Sequence, residues 1–291
     1  MNAHPVVRQP VLTGLALLAV SAFLFASMGV LIRMASHTVD NSAIVFFRNL
    51  TGLLMLLPFF AWRGFDQLKT DKHWMHIWRA VVGLAAMYGF FYAIAHLKLS
   101  NAMVFTYSSP VFIPLVAWLF LKERMTRIMW LAASIGLVGV VLVAKPDQGV
   151  FNTLSLIGMS SSFLAAMAFV TVRAMTATEP ATRIVFYFCL IATCLSAIPM
   201  FWVWRSYHWH ELLLVCGAGF LATLSQLCMS NAYRYAPAGQ IGPANYLAIL
   251  FAGFWAALLW QEYPDFTSII GMGIILLALV LCMPRFANRR A

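Results

Sequence analysis

Charge is scarce in this chain: Asp, Glu, Lys and Arg supply only 10% of its 291 residues, whereas a soluble domain carries about a quarter. That shortage excludes an ordinary soluble fold, and with 63% hydrophobic residues the chain reads as an integral membrane protein. Acids are scarcer still, nine against 19 bases. All nine (Asp40, Asp66, Asp71, Glu123, Asp147, Glu179, Glu211, Glu262 and Asp265) fall at the ends of apolar runs or between them, so no carboxylate stands at mid-membrane as a proton relay. There is no G-x-S-x-G elbow, no H-E-x-x-H pair and no pair of intramembrane carboxylates, which leaves an intramembrane protease or transferase without its chemistry. The five cysteines (Cys189, Cys194, Cys216, Cys228 and Cys282) all sit in apolar runs without close pairing and read as small core residues. His73-x-x-His76 and His208-x-His210 are expected in loops on opposite membrane faces, so no metal and no cofactor is expected.

What is present is apolar length. Ten stretches of about 17 to 25 residues, each able to cross roughly 30 Å of hydrocarbon, are predicted near Val11 to Ile32, Ile44 to Trp62, Ile77 to His96, Ala102 to Leu121 and Ile128 to Ala144. The second five lie near Leu154 to Val172, Ile184 to Trp204, Leu212 to Tyr233, Gln240 to Trp260 and Phe266 to Met283. The first is too long for a signal-peptide core and lacks a cleavage site, so it is expected to remain as a span. The net charge of +10 is better explained by orientation than by nucleic acid. With a cytoplasmic N-terminus, 14 of the 19 bases fall in cytoplasmic segments, Arg79 among them; Arg33, Lys98, Lys145 and Arg205 fall outside, and Arg48 lies within the second span. The positive-inside rule then places both termini in the cytoplasm. Trp62, Trp74, Trp78, Trp202, Trp204 and Trp209 are expected as interface anchors.

The chain is also written twice. Ala22 to Arg33 (AFLFASMGVLIR) returns as Ser162 to Arg173 (SFLAAMAFVTVR), and Ile44-Val45-Phe46-Phe47 returns at the same offset of 140 as Ile184-Val185-Phe186-Tyr187. His73-Trp74 echoes His208-Trp209, and Phe120 to Glu123 echoes Leu259 to Glu262, with the offset drifting by up to five residues. Five is odd, so consecutive five-span units must insert in opposite senses, related by a pseudo-two-fold axis in the membrane plane. The expected fold is therefore an all-α integral membrane protein of ten transmembrane helices, built as two inverted five-helix repeats around a central cavity. The expected organisation is a cytoplasmic tail 1–10, a first repeat 11–144, a linker 145–153, a second repeat 154–283 and a cytoplasmic tail 284–291. Halves that can exchange conformations give alternating access.

Three stretches carry a resemblance to a known family: Arg79 to Arg124, its partner Asn231 to Glu262, and Ile44 to Leu57 (IVFFRNLTGLLMLL). They resemble the EamA-type members of the drug/metabolite transporter superfamily, over nearly the whole chain. The resemblance implies a ten-helix bundle with inverted repeats and a central cavity, most often exporting from a bacterial cytoplasm across the inner membrane. It says little of substrate, since the superfamily carries amino acids, nucleotide-like compounds, sugars and drugs on one scaffold.

Arg48 matches the position where EamA-type sequences carry an arginine after an aromatic pair. A charge at a helix centre costs about 2.5 to 3.5 kcal/mol on insertion scales, so Arg48 either snorkels or bonds neighbouring carbonyls, or it meets an anionic group of the substrate. Glu123 and Glu262 resemble the family's end-of-span glutamate and are expected in a structural or gating role, holding helix ends or pairing with nearby Lys122, Arg124 or Arg127, with proton coupling as the alternative. Substrate contacts are sought among polar residues near mid-span. Tyr88 and Tyr92 stand one turn apart on the third span; Thr106, Tyr107 and Ser108 precede the Pro110 and Pro114 breaks of the fourth. Gln226 and Ser230 share a side of the eighth, and Asn245 and Tyr246 follow the Gly242-Pro243 break of the ninth, where freed backbone groups can bind ligand. Each has an interhelical hydrogen bond as its alternative role. Ser21, Ser27, Gly29 and Ser161 are expected as close-packing positions.

These residues point to a secondary transporter moving a small polar or zwitterionic metabolite, by export of an amino acid or amino-acid-derived compound, an opine-like metallophore included. Uptake or exchange of an S-adenosylmethionine-like metabolite is the alternative, and an intramembrane enzyme or a membrane scaffold is the reading from another class. The expected partners are a small-molecule substrate and membrane lipid, not nucleic acid; monomer and homodimer both stay open.

Overall fold

A computed structural model describes residues 9–96, 108–123, 126–144, 153–261 and 263–281. Thr106, Tyr107, Glu262, linker residues 145–152 and tail residues 1–8 and 284–291 lie outside the described residues. Among the described residues all regular structure is helical, and ten helices are formed: α1 Gln9–Ala35, α2 Asn41–Arg63, α3 His73–His96, α4 Ser109–Leu121, α5 Arg127–Ala144, α6 Thr153–Met175, α7 Ala181–Val203, α8 Trp209–Tyr235, α9 Ala238–Trp260 and α10 Phe266–Leu281. A short 3₁₀ turn, Phe65–Leu68, lies between α2 and α3. Helices α1, α2, α6, α7, α8 and α9 are each long and apolar enough to cross a membrane, where a helix satisfies its own backbone polar groups.

Helix ends follow local chemistry. Asp40 caps α2 by accepting from the Ser42 N–H at 2.7 Å, and Glu211 returns a bond to the His208 N–H at 2.9 Å to start α8. Both α4 and α9 stop in the left-handed region, at Lys122 (φ 53°) and Gln261 (φ 57°), where the capping N–H reaches back to the carbonyls of Ala117 and Ala256. The two stops are 139 residues apart. Gly242 and Pro243 interrupt α9, whose backbone tightens to 3₁₀ over Gly242–Tyr246 before the helix resumes at Leu247.

The packing is two-fold. Helix α1 lies along α8 as α6 lies along α3, α9 against α1 as α4 against α6, and α2 against α8 as α7 against α3; α2 meets its own equivalent α7, and α5 meets α10. One hydrogen bond appears in both copies: Ser21 donates to the Ser225 carbonyl at 2.8 Å and Ser161 to the Ala86 carbonyl at 2.6 Å. The equivalent turns lie at opposite ends of α2. Thr38, before α2, is bonded by Arg205 of the α7–α8 loop at 2.6 Å, whereas Glu179 of the α6–α7 turn is bonded by Thr70, beyond the end of α2, at 2.8 Å. The halves are therefore inverted.

Glycine permits the closest approach. A Cβ on Gly139 of α5 would fall 2.7 Å from the Gly271 carbonyl of α10, and one on Gly271 would fall 2.7 Å from the Gly139 carbonyl. Both obstacles are backbone, which cannot swing aside.

Polar networks tie each end of the bundle across the halves. At the first, Glu179 accepts from Thr70 and from Arg183 (2.9 Å), with His76 Nε2 3.6 Å away; Arg183 also donates to the Gln67 carbonyl at 2.5 Å and Tyr187 to that of Leu68 at 2.8 Å. At the second, Arg205 holds Glu211 at 2.7 Å as well as the Thr38 carbonyl. His73 and His76 belong to the first turn of α3 rather than to a loop, and among the described residues no group of three His, Cys, Asp or Glu side chains is gathered to hold a metal.

Two outcomes are expected. Gly139→Leu or Gly271→Leu should lower the thermal midpoint of the purified protein by overpacking α5 on α10, at about 1–3 kcal/mol, while Gly273→Ala, whose Cβ meets nothing within 4 Å, should leave it unchanged. Burial raises the Glu179 carboxyl pKa, but hydrogen bonds from Thr70 and Arg183 and the charges of Arg183 and His76 take it below the ordinary 4.5. A lowered folded pKa gives stability that is complete above the ordinary value and lost as pH falls toward the lowered one. Glu179→Gln should therefore cost about 1–3 kcal/mol at neutral pH, and its gap from the parent should close as thermal melts are taken below pH 4.5.

Candidate functional site

The packing of α1, α3, α6 and α8 around α2, α7 and the break in α9 leaves a cavity of about 170 Å³ at the centre, lined from both halves. Its walls are mostly apolar, with Phe25, Met28, Phe90, Phe169, Phe188 and Met229 among them. The polar lining consists of Ser21, Ser109, Ser161, Ser162, Ser225, Gln226 and Asn245, together with Arg48 and Arg79. Among the described residues no carboxylate borders it.

The two arginines are its dominant charges. Arg48 is 6% exposed and Arg79 3%. Arg48 donates from Nη1 to the Met87 sulfur at 2.8 Å, a weak acceptor. Arg79 donates from Nη2 to Gln226 Oε1 at 2.6 Å and lies over the Phe188 ring, 3.7 Å from its centroid. The Nε–H of each is buried without an acceptor. Glycines make the room: a Cβ at Gly83 would stand 3.0 Å from Arg79 Nη1, and one at Gly219 of α8 would stand 2.7 Å from the Arg48 carbonyl oxygen. Taking a guanidinium out of water costs several kcal/mol unless it is paired, so an uncompensated pair facing a cavity favours an anion there.

Of the residues singled out in the sequence, Arg48, Gln226 and Asn245 border this cavity. Asn245 donates to the Gly242 carbonyl at 2.9 Å and to the Tyr233 hydroxyl at 3.3 Å, so the α9 break is braced by its own side chain. Ser108 is buried just before α4, whereas its neighbour Ser109 faces the cavity. Ser230 is buried on α8 with its hydroxyl unpartnered, away from the lining. Tyr88 packs among apolar side chains between α2 and α7 with its hydroxyl enclosed and unpartnered. Tyr92 is 43% exposed and is not part of the cavity lining. Tyr246 is fully buried and donates to the Ala133 carbonyl at 3.0 Å, its ring filling the space that Gly136 leaves open on α5. Glu123 pairs with Arg173 of α6 at 3.1 Å, across the halves, and Arg173 also bonds the Tyr233 carbonyl. Among the described residues the partner is Arg173 rather than Lys122 or Arg127, since Lys122 turns into the left-handed stop of α4; Arg124 lies outside the described residues.

Sequence reasoning missed Arg79, Ser21 and Ser161. Arg79 was read as a cytoplasmic cation because the hydropathy edge fell at Ile77; α3 begins at His73, which carries Arg79 into the bundle. The available signal was small residues at its helical phase, Gly83 and Ala86 at i+4 and i+7. Ser21 and Ser161, expected only to pack, border the cavity as an equivalent pair.

Comparison with known proteins agrees with this architecture. The model of the EamA-like transporter family matches residues 12–145 and 153–283. The chain is 31% identical to the pseudopaline exporter of Pseudomonas aeruginosa over 92% of its own length and 95% of that protein. It is 25% identical to the S-adenosylmethionine uptake transporter of Rickettsia bellii over 80% of each. A crystal structure sharing 17% of its sequence superposes with a TM-score of 0.80 over 95% of this chain and 99% of that one, a likeness of fold. With two copies of the family's unit covering its length, this multi-pass membrane protein belongs to the EamA-like transporter family.

Proposed function

We propose that the protein exports a small amino-acid-derived metabolite bearing carboxylate from a bacterial cytoplasm, across the inner membrane, by alternating access with both termini cytoplasmic. The observation that carries this reading is the central cavity, built from both halves and presenting two buried guanidiniums with no carboxylate among its described lining. The serines and Asn245 supply neutral hydrogen-bonding seats, and Phe25, Phe90 and Phe169 supply ring faces on which an ammonium can rest. The pseudopaline exporter, similar over nearly the full length, supports export. Uptake of S-adenosylmethionine, the function in the name of another relative, fits the charges less well: a sulfonium and an ammonium outweigh its single carboxylate, and two guanidiniums repel the surplus.

A net anion also explains how export runs without a mid-membrane carboxylate. An inside-negative potential drives each negative charge outward by about 2.3 kcal/mol per 100 mV.

Mass-spectrometric profiling of cells and medium tests the proposal, using cells that lack the protein, overproduce it, or overproduce a Gln226→Ala/Asn245→Ala double variant. A carboxylate-bearing amine is expected to accumulate inside without the protein and to appear outside at least tenfold more with the intact cavity than with the double variant. Collapsing a 100 mV potential should reduce its outward concentration ratio about 50-fold per net charge. Export that ignores the potential, or the absence of any anionic metabolite that follows the protein, overturns the reading.

A further inference from the structure

We infer that Arg48 and Arg79 form a two-point clamp that selects dicarboxylates over monocarboxylates of the same size, an inference that rests on the central cavity being the substrate site. The two guanidiniums come from different helices, α2 and α3, yet border one cavity. Each is tethered by one terminal nitrogen, Arg48 to Met87 and Arg79 to Gln226, and each keeps its Nε–H buried and without an acceptor. A guanidinium has two edges that take a carboxylate with two parallel hydrogen bonds, Nε–Nη2 and Nη1–Nη2; the tether of Arg48 through Nη1 leaves the first, and the tether of Arg79 through Nη2 leaves the edge that Gln226 does not engage. A ligand with one carboxylate satisfies one edge and leaves the other cation buried and unpaired, a costly arrangement. A ligand with two satisfies both.

The tethers argue against a role confined to packing. Met87 sulfur is a weak acceptor, and neither arginine meets a carboxylate among the described residues, although Arg173, Arg183 and Arg205 each do. Five arginines are thus drawn into bonds between helices or loops, and the two facing the cavity are the ones left without an anion. The second half offers no equivalent charge. Phe188 stands at the position equivalent to Arg48, 140 residues on, and serves as the ring beneath Arg79. Gln226, equivalent to Met87 at an offset of 139, serves as the tether of Arg79. One half supplies the cations and the other positions one of them. The cavity, about 170 Å³, lies below the range of about 300–1,000 Å³ that holds drug-sized ligands, so the two carboxylates belong to one small molecule.

Binding to the full-length protein in lipid nanodiscs tests the clamp, with N-carboxymethyl-alanine and N-isobutyl-alanine as probes of matched size that differ by one carboxylate, and O-phosphoserine as a ligand whose second anion is a phosphate. The parent protein is expected to bind N-carboxymethyl-alanine at least tenfold more tightly than N-isobutyl-alanine. Arg48→Gln and Arg79→Gln should each bring that ratio to within twofold of one, and Arg48→Lys and Arg79→Lys, which keep the charge but lose the fork, should give intermediate ratios. The lysine variants keep the test decisive if a glutamine variant does not fold. A purely structural role for the arginines lowers the thermal midpoint and leaves the ratio intact, which overturns the clamp. So do equal affinities in the parent protein, no binding of either alanine derivative, or O-phosphoserine binding more tightly than the dicarboxylate. Dicarboxylate binding with no export overturns the export reading and leaves the clamp standing; export of a monocarboxylate with no dicarboxylate preference overturns the clamp alone.

Discussion

Nearly every close helix pair in this protein joins one half of the chain to the other. Helix α1 is held by α8 and α9, α6 by α3 and α4, α2 by α7 and α8, and α5 by α10. Among the described residues neither five-helix unit packs on itself to any comparable extent, and the cavity is lined from both. The apolar bilayer gives helices no hydrophobic reason to associate, and close van der Waals packing with interhelical hydrogen bonds must do it. The chain meets that requirement with small residues at the crossings: Gly139 on Gly271, Gly219 on the backbone of Arg48, and Ser21 and Ser161 on carbonyls of the opposite half.

Symmetry builds this frame, and departures from symmetry build the site. Ser21 and Ser161 line the cavity as equivalents, but Arg48 faces Phe188 across the repeat, and Arg79 corresponds to Ala218 at the offset of 139 set by Ala86 and Ser225. Copying both arginines into the second half would place four guanidiniums around one small cavity. At about 2.5–3.5 kcal/mol each for insertion alone, before their mutual repulsion, such a site would be far costlier to fold. Charge in one half and a ring and an amide in the other keep the cost to two cations.

How much of this was legible in the sequence follows the same division. The frame repeats, and repetition survives as matching letters: Ala22 to Arg33 against Ser162 to Arg173 announces α1 and α6, and the odd number of spans announces their inversion. The site does not repeat, and its residues had to be judged singly. Arg48 was visible because it interrupts an apolar run. Arg79 was hidden because an arginine two residues past a hydropathy edge looks the same whether the helix starts there or, as it does, at His73. Tyr246 drew attention beside a helix break, yet its ring is consumed by the hollow over Gly136, a three-dimensional fit between α5 and α9 that no local pattern records. Glu123 was read against nearby cations, whereas its partner Arg173 is 50 residues away. Neighbours across an inverted repeat are remote in sequence by construction.

The end networks follow from the same interlocking. Arg183 of the second half holds Gln67 of the first, Arg205 of the second holds Thr38 of the first, and Arg173 of the second holds Glu123 of the first. Any movement of one half against the other therefore breaks charged hydrogen bonds at one end or the other, and the two ends are not alike. Glu179 and Glu211 are both buried, but Glu179 is itself bonded across the halves by Thr70 with His76 beside it, whereas the reach across the halves at the other end is made to Thr38 by an Arg205 side chain that is 41% exposed. A buried charge stripped of its partner costs more than one that water can reach, so opening at the Glu179 end is the costlier motion. If the halves exchange conformations, the two arrangements differ in energy by that asymmetry, and the free energy of neutralising Arg48 and Arg79 is the term available to offset it. The cavity's charge and the strength of the end networks are then parts of one balance, and a substrate that leaves a guanidinium unpaired supplies too little to move it.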